Sequence, residues 1–465
     1  MTRDTEVKSE VLRIDAPDPT ADDWPIHVVV PEPFADDWLR GFDAEREVRG
    51  WTTRGLTRMT AATNSGTILV GCASKGGTIL SLSWNRSRGG SLDVRARCDD
   101  LSVLSLAEAR ECLNRATERC RSGATERIHR RDYLEYEGRA WRGELWLDDT
   151  LRLGPPSVQD EMAQIGPRII VIDALVTCFG PTDAMWNFAR DLDELSVFLS
   201  TVLGTRVRRL SVGRVWTVRP EGTASEVRPL GYIEPQASSD MPTKGAVQSV
   251  PLVSVTRPDL SMWAPDANQS ELSAPDDIVE LWTRYRDLTP ELQRQFLQAA
   301  AKWQEALMVF NERPTLSAAL MVVGCEALKP PSSKFKEHNV YGVIHALLGK
   351  AVAEQLRNEL FDPVLHAKTH PQGIRSRHLH RGEFYGTEFA QAMMMQSFND
   401  PTFDQATRTL ARVTRAAIIE WLRCSGAIEM PRLERKKKPR RKRRGRAPVT
   451  ARGHRVRRPG QHHPG

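Results

Sequence analysis

Arginine and histidine side chains are concentrated in one stretch of ten residues, which begins at Gly373 and ends at Gly382. The eight residues between these glycines include three arginines and two histidines. Arginine is a permanent cation that grips phosphate through paired hydrogen bonds, and histidine titrates near neutral pH. Side chains of these two kinds, placed together, are suited to holding or cleaving a phosphodiester.

The spacing within this stretch limits how its side chains can cooperate. Arg375 and His380 have the spacing R-x4-H, and Ser376 directly follows the arginine. On an α-helix, steps of about 100° per residue place Arg375 and His380 about 140° apart, while Ser376 and His380 share a face. A long arginine side chain can still reach a cleft that His380 borders. The alternative interpretation is a solvated cationic helix rim, which would also include Arg377 and Arg381.

The elements that would position this stretch lie in residues 276–430, where the periodicity predicts an all-α domain of five or six helices. Thr289-Pro290-Glu291 predicts a helix start with an N-cap, a first-turn proline and an early acid. Thr315–Leu328 is nearly all apolar and predicts a helix in the middle of the core. Tyr341–Leu360 and Phe403–Leu422 predict two amphipathic helices on either side of the Arg/His stretch.

Residues 1–235 predict an α+β domain with a β-rich core. Thr67–Cys72 and Thr78–Trp84 read as a hairpin, and Arg168–Phe179 reads as a buried strand. The period changes to that of a helix at Ser105–Cys120 and again at Thr182–Leu203, where Thr182 is the expected N-cap. Further strands are expected at Leu92–Arg97, Ala140–Leu147, Val207–Val218 and Val227–Ile233. The predicted class of the chain is therefore α+β, with a β-rich α+β domain followed by a helical bundle.

Two segments are predicted to lie outside these domains. Residues 236–275 are rich in Pro, Ser, Gln and Asn without a sustained period, which is typical of a linker or of a loosely packed crossover. Residues 431–465 contain fifteen Lys and Arg but one acid, Glu434, in a chain whose net charge is +7. Such a tail has nothing to bury and is expected to be disordered. With Arg377 and Arg381, its main cluster is a candidate nucleic-acid contact: Arg435, Lys436, Lys437, Lys438, Arg440, Arg441, Lys442, Arg443 and Arg444.

Composition excludes several classes of protein. The seven cysteines form no CxxC pair, which argues against a disulfide framework and a zinc site and fits a reducing compartment. We expect a cytoplasmic protein, because the N-terminus lacks the apolar segment of a secretory signal. No apolar run approaches the 18 or so residues that a membrane-spanning helix needs, so no membrane association is expected.

Other arrangements of reactive side chains are weaker candidates. His366-x3-His370 and His378-x-His380 imitate metal-ligand spacing, but no acid accompanies them between Asp362 and Glu383. We therefore expect neither a metal nor another cofactor. One acid, Asp173, lies within the buried strand, and four others follow it in the chain: Asp183, Asp191, Asp193 and Glu194. These acids indicate either a carboxylate cluster or, for the last three, the polar face of a helix.

The helical half resembles the HEPN superfamily, and more narrowly its Apea-like branch. The resemblance covers residues 300–425: an apolar helix ending in Cys325-Glu326-Ala327-Leu328, a long amphipathic helix, and then an R-S-x-x-x-H motif followed closely by glycine. The motif positions here are Arg375, Ser376, His380 and Gly382. Many members of the superfamily have Asn or another polar residue after the arginine, where this chain has Ser376, and Arg381 is a bulky residue beside the glycine.

This resemblance implies metal-independent cleavage of RNA, at a composite site where two motifs meet across a homodimer. It implies that His380 transfers protons and that Arg375 holds the phosphate. It also implies that Ser376 orients either the histidine or a phosphate oxygen. A defence or stress setting is implied by the family alone. The alternative is a HEPN-like fold without catalysis, which serves as an RNA-binding or protein-interaction module. A DNA-associated regulator that uses the basic tail is a third class.

Overall fold

The fold was analysed in a computed structural model of the chain. The structure describes residues 24–56, 65–72, 75–123, 125–136, 139–155, 168–210, 213–218, 224–230, 240–253, 272–310, 312–330, 340–360 and 401–428. Sheets dominate the first half of the described chain and helices the second, so the predicted α+β class is confirmed.

Five antiparallel strands form the first sheet, in the order β1-β5-β4-β3-β2. They are β1 (Ile26–Val30), β2 (Trp51–Leu56), β3 (Ser65–Cys72), β4 (Lys75–Arg86) and β5 (Leu92–Cys98). The predicted hairpin is confirmed, because β3 and β4 pair directly. The third predicted strand is confirmed as β5, which lies between β4 and β1.

Helices α1 (Ala35–Val48) and α2 (Leu106–Ser122) supply the other side of this sheet's core. The predicted helix at 105–120 is α2, and Ser105 caps it: its hydroxyl accepts from the Glu108 N–H at 3.2 Å, while the Glu108 carboxylate accepts from the Ser105 N–H at 2.9 Å. Trp38 of α1 donates its indole N–H to the Thr117 hydroxyl of α2 at 2.8 Å. The two helices are thus fixed to each other through a buried hydrogen bond.

The second sheet is also antiparallel, in the order β10-β6-β9-β8-β7. Its strands are β6 (Glu126–Tyr136), β7 (Leu145–Trp146), β8 (Leu151–Gly154), β9 (Arg168–Cys178) and β10 (Val207–Arg209). The predicted buried strand is β9, the central strand, and it packs on α3 (Pro181–Leu203) through residues such as Ile170 and Ile172. Two further short pairs are β11 (Gly213–Val218) with β12 (Ala224–Leu230), and β13 (Leu252–Val253) with β14 (Ala274–Pro275).

The described helices of the second half are α4 (Ile278–Asp287), α5 (Pro290–Met308), α6 (Pro314–Ala327), α7 (Val340–Leu348), α8 (Lys350–Leu360) and α9 (Pro401–Arg423). The predicted cap of α5 is confirmed, since the Thr289 hydroxyl accepts from the Leu292 N–H. Helix α6 lies in the core as predicted, and it approaches α5 so closely that a Cβ on Gly324 would lie 3.0 Å from the Ala299 carbonyl oxygen.

Several predicted boundaries were wrong, and of the strand expected at Ala140–Leu147 only Leu145–Trp146 is β7. Helix α3 begins at Pro181 with Gly180 as N-cap, rather than with Thr182, because the fixed φ of proline suits the first helical position. Tyr341–Leu360 forms two helices, α7 and α8, because Gly349 between them adopts φ +89° and so leaves the right-handed helical region. Val207–Val218 divides into β10 and β11, which belong to different sheets.

The segment predicted to be a linker contacts the second sheet where the structure describes it. The Val250 N–H donates to the Glu144 carbonyl at 3.0 Å, and the Leu272 N–H donates to the Ala140 carbonyl at 3.0 Å. Both Val250 and Leu272 are buried in the same apolar core as β9 and α3. These two parts of the segment are therefore packed against the sheet.

Helix α3 connects the second sheet to the helical half. One continuous apolar core contains residues of β9, α3, α5 and α9, including Ile172, Phe198, Phe296 and Trp421. Polar contacts accompany it at the end of α3, where Arg415 of α9 donates to the Thr201 and Val202 carbonyls, both at 2.6 Å. The described sheet and helices therefore share a core and are not merely tethered by the chain.

Candidate functional site

The residues that the sequence predicts to bind or cleave nucleic acid lie outside the part of the chain that the structure describes. This holds for Arg375, Ser376, Arg377, His380 and Arg381, for the histidines with metal-like spacing, and for the cationic cluster at 435–444. Their roles remain predictions. What the structure does give is their setting: the motif falls in the connection between α8 and α9, two helices that pack against each other.

Among the described residues, one candidate is a row of charges across the second sheet. Strand register places Arg131 of β6 and Arg152 of β8 on either side of Asp173 of β9. Arg131 donates to one carboxylate oxygen of Asp173 at 2.7 Å, and Arg152 donates to the other at 2.9 Å. The His129 ring nitrogen lies 2.9 Å from the first oxygen.

The same network continues to Glu144, next to β7. Arg152 donates to one Glu144 oxygen at 2.9 Å, and the Gly245 N–H donates to the other at 2.6 Å. Burial by itself raises the pKa of Glu144, but the hydrogen bonds from Arg152 and Gly245 outweigh it, so the pKa lies below its usual value. Glu144 is therefore ionised at neutral pH.

This row of charges holds the sheet together and does not offer a reactive group to a substrate. Asp173 is fully buried, and both of its oxygens already accept hydrogen bonds from side chains of its own fold. Asp173, for which the sequence indicated a carboxylate cluster as one interpretation, is thus paired with arginines. Asp183 is separate from it, and it accepts from the Phe179 N–H at the start of α3.

A better candidate is a cavity of about 370 Å³ beside the edge of the second sheet. Strand β9, helix α3, the turn before β8, α4 and one residue of α1 contribute to its wall. Its volume lies within the range of small-molecule sites in proteins, about 300–1,000 Å³. Its apolar wall includes Phe188 and Trp282, both largely buried. Trp282 also belongs to the apolar core that α3 and α5 share.

Three arginines line this cavity, and they are neutralised to different degrees. Arg40 donates two hydrogen bonds to Asp183, at 2.7 and 2.9 Å, and these raise the pKa of its guanidinium. Arg190 makes long contacts of 3.3 and 3.4 Å to Asp191, with two-thirds of its side chain exposed. Arg286 lies over the Trp282 ring, 5.8 Å from the centroid. No carboxylate of the described residues lies within salt-bridge distance of Arg286.

The acidic groups of the cavity are already supplied with donors. Asp148 accepts from the backbone N–H and the hydroxyl of Thr150, both at 2.7 Å, and from the Trp282 indole N–H at 3.3 Å. Asp191 faces Arg190. The hydrogen-bonding capacity that remains unused in the cavity is therefore mainly that of donors on Arg190 and Arg286, and this arrangement is suited to a ligand that brings acceptor oxygens.

Sequence reasoning missed this cavity because its arginines are far apart in the chain, on α1, α3 and α4. The local signal at each is only a charged residue on the polar face of a helix. The prediction for Asp191 as part of such a face holds, as the residue is partly exposed on α3.

No three His, Cys, Asp or Glu residues of the described ranges are grouped so as to hold a metal ion. All seven cysteines lie within those ranges, and none of them is disulfide-bonded. No described helix combines the length and the apolar character that crossing a membrane requires. Comparisons with protein-family models, with curated proteins and with solved structures found no match. We therefore infer the function from the chain's own residues.

The row of charges makes a direct prediction about stability. Asp173→Asn keeps the side-chain shape but leaves Arg131 and Arg152 buried without their shared anion. Removing one member of a buried ion pair costs about 3–5 kcal/mol, and we expect the free energy of unfolding to fall by that amount. Urea denaturation followed by circular dichroism measures it.

The matched control for this change is Asp149→Asn. Asp149 is 97% exposed and pairs with Lys244 only at 3.7 Å, so its substitution should leave the free energy of unfolding unchanged. Equal stability of the two variants would show that the row of charges does not hold the sheet together.

Proposed function

We propose that this protein is a metal-independent endoribonuclease whose chemistry is carried out by Arg375 and His380. The observation that carries the proposal is the stretch from Gly373 to Gly382, with its three arginines and two histidines. In the chain the stretch lies between α8 and α9 of the helical half, and the resemblance to HEPN proteins supports the proposal.

The proposed reaction needs an acid, a base and a cation, and the stretch contains these side chains. The ribose 2′-oxygen attacks the adjacent phosphorus while the bond from phosphorus to the 5′-oxygen breaks. His380 takes the proton of the 2′-hydroxyl or gives one to the leaving 5′-oxygen, and an ordinary histidine pKa near 6.5 suits either task. Arg375 holds the phosphate and stabilises the charge that develops on its oxygens. Ser376 orients the histidine or a phosphate oxygen.

A composite site requires two copies of the motif, and we therefore propose a homodimer formed through the helical half. Light scattering at tens of micromolar chain reads out this assembly. A strict monomer at that concentration would favour the alternative, in which the helical half is a non-catalytic RNA-binding or protein-interaction module.

The first test of the proposal is substitution within the stretch. His380→Ala should reduce RNA cleavage by about 10²–10⁴-fold, because it removes general acid–base help. We expect a comparable loss for Arg375→Ala, from lost stabilisation of the phosphate charge. Initial rates on a labelled single-stranded RNA, with EDTA present throughout, measure both effects.

The matched control is His378→Ala, which removes a histidine from the same stretch but is not assigned a role. It should cleave at nearly the wild-type rate. The proposal is wrong if His380→Ala cleaves RNA as fast as the wild type, or if EDTA abolishes cleavage. RNA binding by a wild-type chain that never cleaves would support the non-catalytic module instead.

We further propose that the basic tail adds affinity without taking part in the chemistry. Its fifteen Lys and Arg face one acid, Glu434, so they are available to RNA phosphates. Even six phosphate contacts make affinity fall by about 10³-fold between 50 and 200 mM salt. Deleting residues 431–465 should weaken RNA binding at low salt and flatten this dependence, while cleavage still requires His380. Unchanged affinity after the deletion, measured by fluorescence anisotropy, would remove the tail from RNA binding.

A further inference from the structure

The cavity beside the second sheet is separate in sequence from the Arg/His stretch and has a chemistry of its own. It lies between α3, the turn before β8 and the end of α4, and all of its lining residues belong to the described part of the chain. What it can hold follows from its size, its charges and its unused hydrogen-bond donors.

Size limits the ligand to a small molecule. A volume of about 370 Å³ lies in the lower part of the range of small-molecule sites in proteins, about 300–1,000 Å³. A small organic molecule therefore fits. Phe188 and Trp282 would contact the carbon atoms of such a molecule.

Hydrogen-bonding capacity indicates an anion. A guanidinium carries five N–H donors and no acceptor. Two nitrogens of the Arg40 guanidinium, Nε and Nη2, already donate to Asp183. Arg40 is therefore held in place and has fewer donors left for a ligand. Arg286 contacts the face of Trp282, with no acidic partner among the described residues, and Arg190 holds Asp191 only at 3.3–3.4 Å. These two arginines thus keep most of their donors for a ligand.

The acidic residues of the cavity do not prevent it from binding an anion. Three donors already satisfy Asp148, which leaves it little capacity to attract a cationic ligand. Asp148 instead fixes Trp282, whose ring supports the Arg286 guanidinium. A cation held over an aromatic face is oriented without being neutralised.

We propose that this cavity binds a small organic anion, a phosphate ester or a carboxylate, whose charged group is held by Arg190 and Arg286. The site connects α3, which packs on the second sheet, with α4 of the helical half. Its occupation would stabilise the contact between the two, independently of whether the Arg/His stretch cleaves RNA.

Calorimetric titration of the full chain tests the proposal with three probes: ribose 5-phosphate, ribose and succinate. Ribose 5-phosphate should bind with a Kd of about 1 mM or tighter, and ribose, which lacks the anion, should give no heat. Arg286→Gln and Arg190→Gln should each weaken binding by about tenfold, as expected for the loss of a charged hydrogen bond. Arg286 makes no described ion pair, so its substitution should leave the circular dichroism spectrum unchanged.

The matched control is Arg115→Gln, which removes an exposed arginine from α2 and should bind like the wild type. Binding of succinate instead of ribose 5-phosphate, with the same dependence on Arg286, supports the proposal and identifies a carboxylate as the charged group. The proposal is overturned if neither anion binds at about 1 mM, if ribose binds as tightly as ribose 5-phosphate, or if Arg286→Gln and Arg190→Gln both bind like the wild type.

Discussion

The end of α3 is the point on which the arrangement of the two halves depends. Arg415 of α9 donates to the carbonyls of Thr201 and Val202, and Gln304 of α5 donates to the Ser200 hydroxyl at 3.0 Å. The last carbonyls of a helix have no partner within it and carry partial negative charge, so a guanidinium placed there is favourable. Burial lowers the pKa of Arg415 to about 10, and Arg423 acts in the same direction. Arg415 is therefore still a cation at neutral pH.

The rest of the described fold is arranged around this junction. With its end fixed by α5 and α9, α3 presents apolar residues such as Phe198 both to the second sheet and to α4 and α5. The opposite face of that sheet is held by the row of charges centred on Asp173. The cavity lies nearer the start of α3, where residues of this helix such as Phe188 and Leu195 line it together with Trp282 of α4.

Sequence predicted those features that depend on neighbouring residues. The helical period placed α2, the Thr289-Pro290 pair placed the start of α5, and an apolar run placed β9 as a buried strand. It did not predict the division at Gly349, because one glycine within a helical period is compatible with either a continuous or a broken helix.

Features that depend on tertiary contacts were beyond the sequence. Asp173 interrupts an apolar run in the chain, and only strand register reveals that arginines flank it. The cavity joins Arg40, Arg190 and Arg286 from three helices, with no motif to mark them. For the Arg/His stretch the sequence provides residue types and spacing, and these carry the proposed chemistry.

The central claim is that the second sheet and the helical half form one cooperative unit through the end of α3. Native-state hydrogen exchange in increasing denaturant measures the opening free energy of individual amides. The amides of β9 and α9 should converge on one value in the wild type. Arg415→Met, which leaves two carbonyls without their donor, should lower both by about 2–4 kcal/mol, whereas substitution of the exposed Arg294 by Met should lower neither. Loss of protection in α9 while β9 keeps its own would contradict the claim.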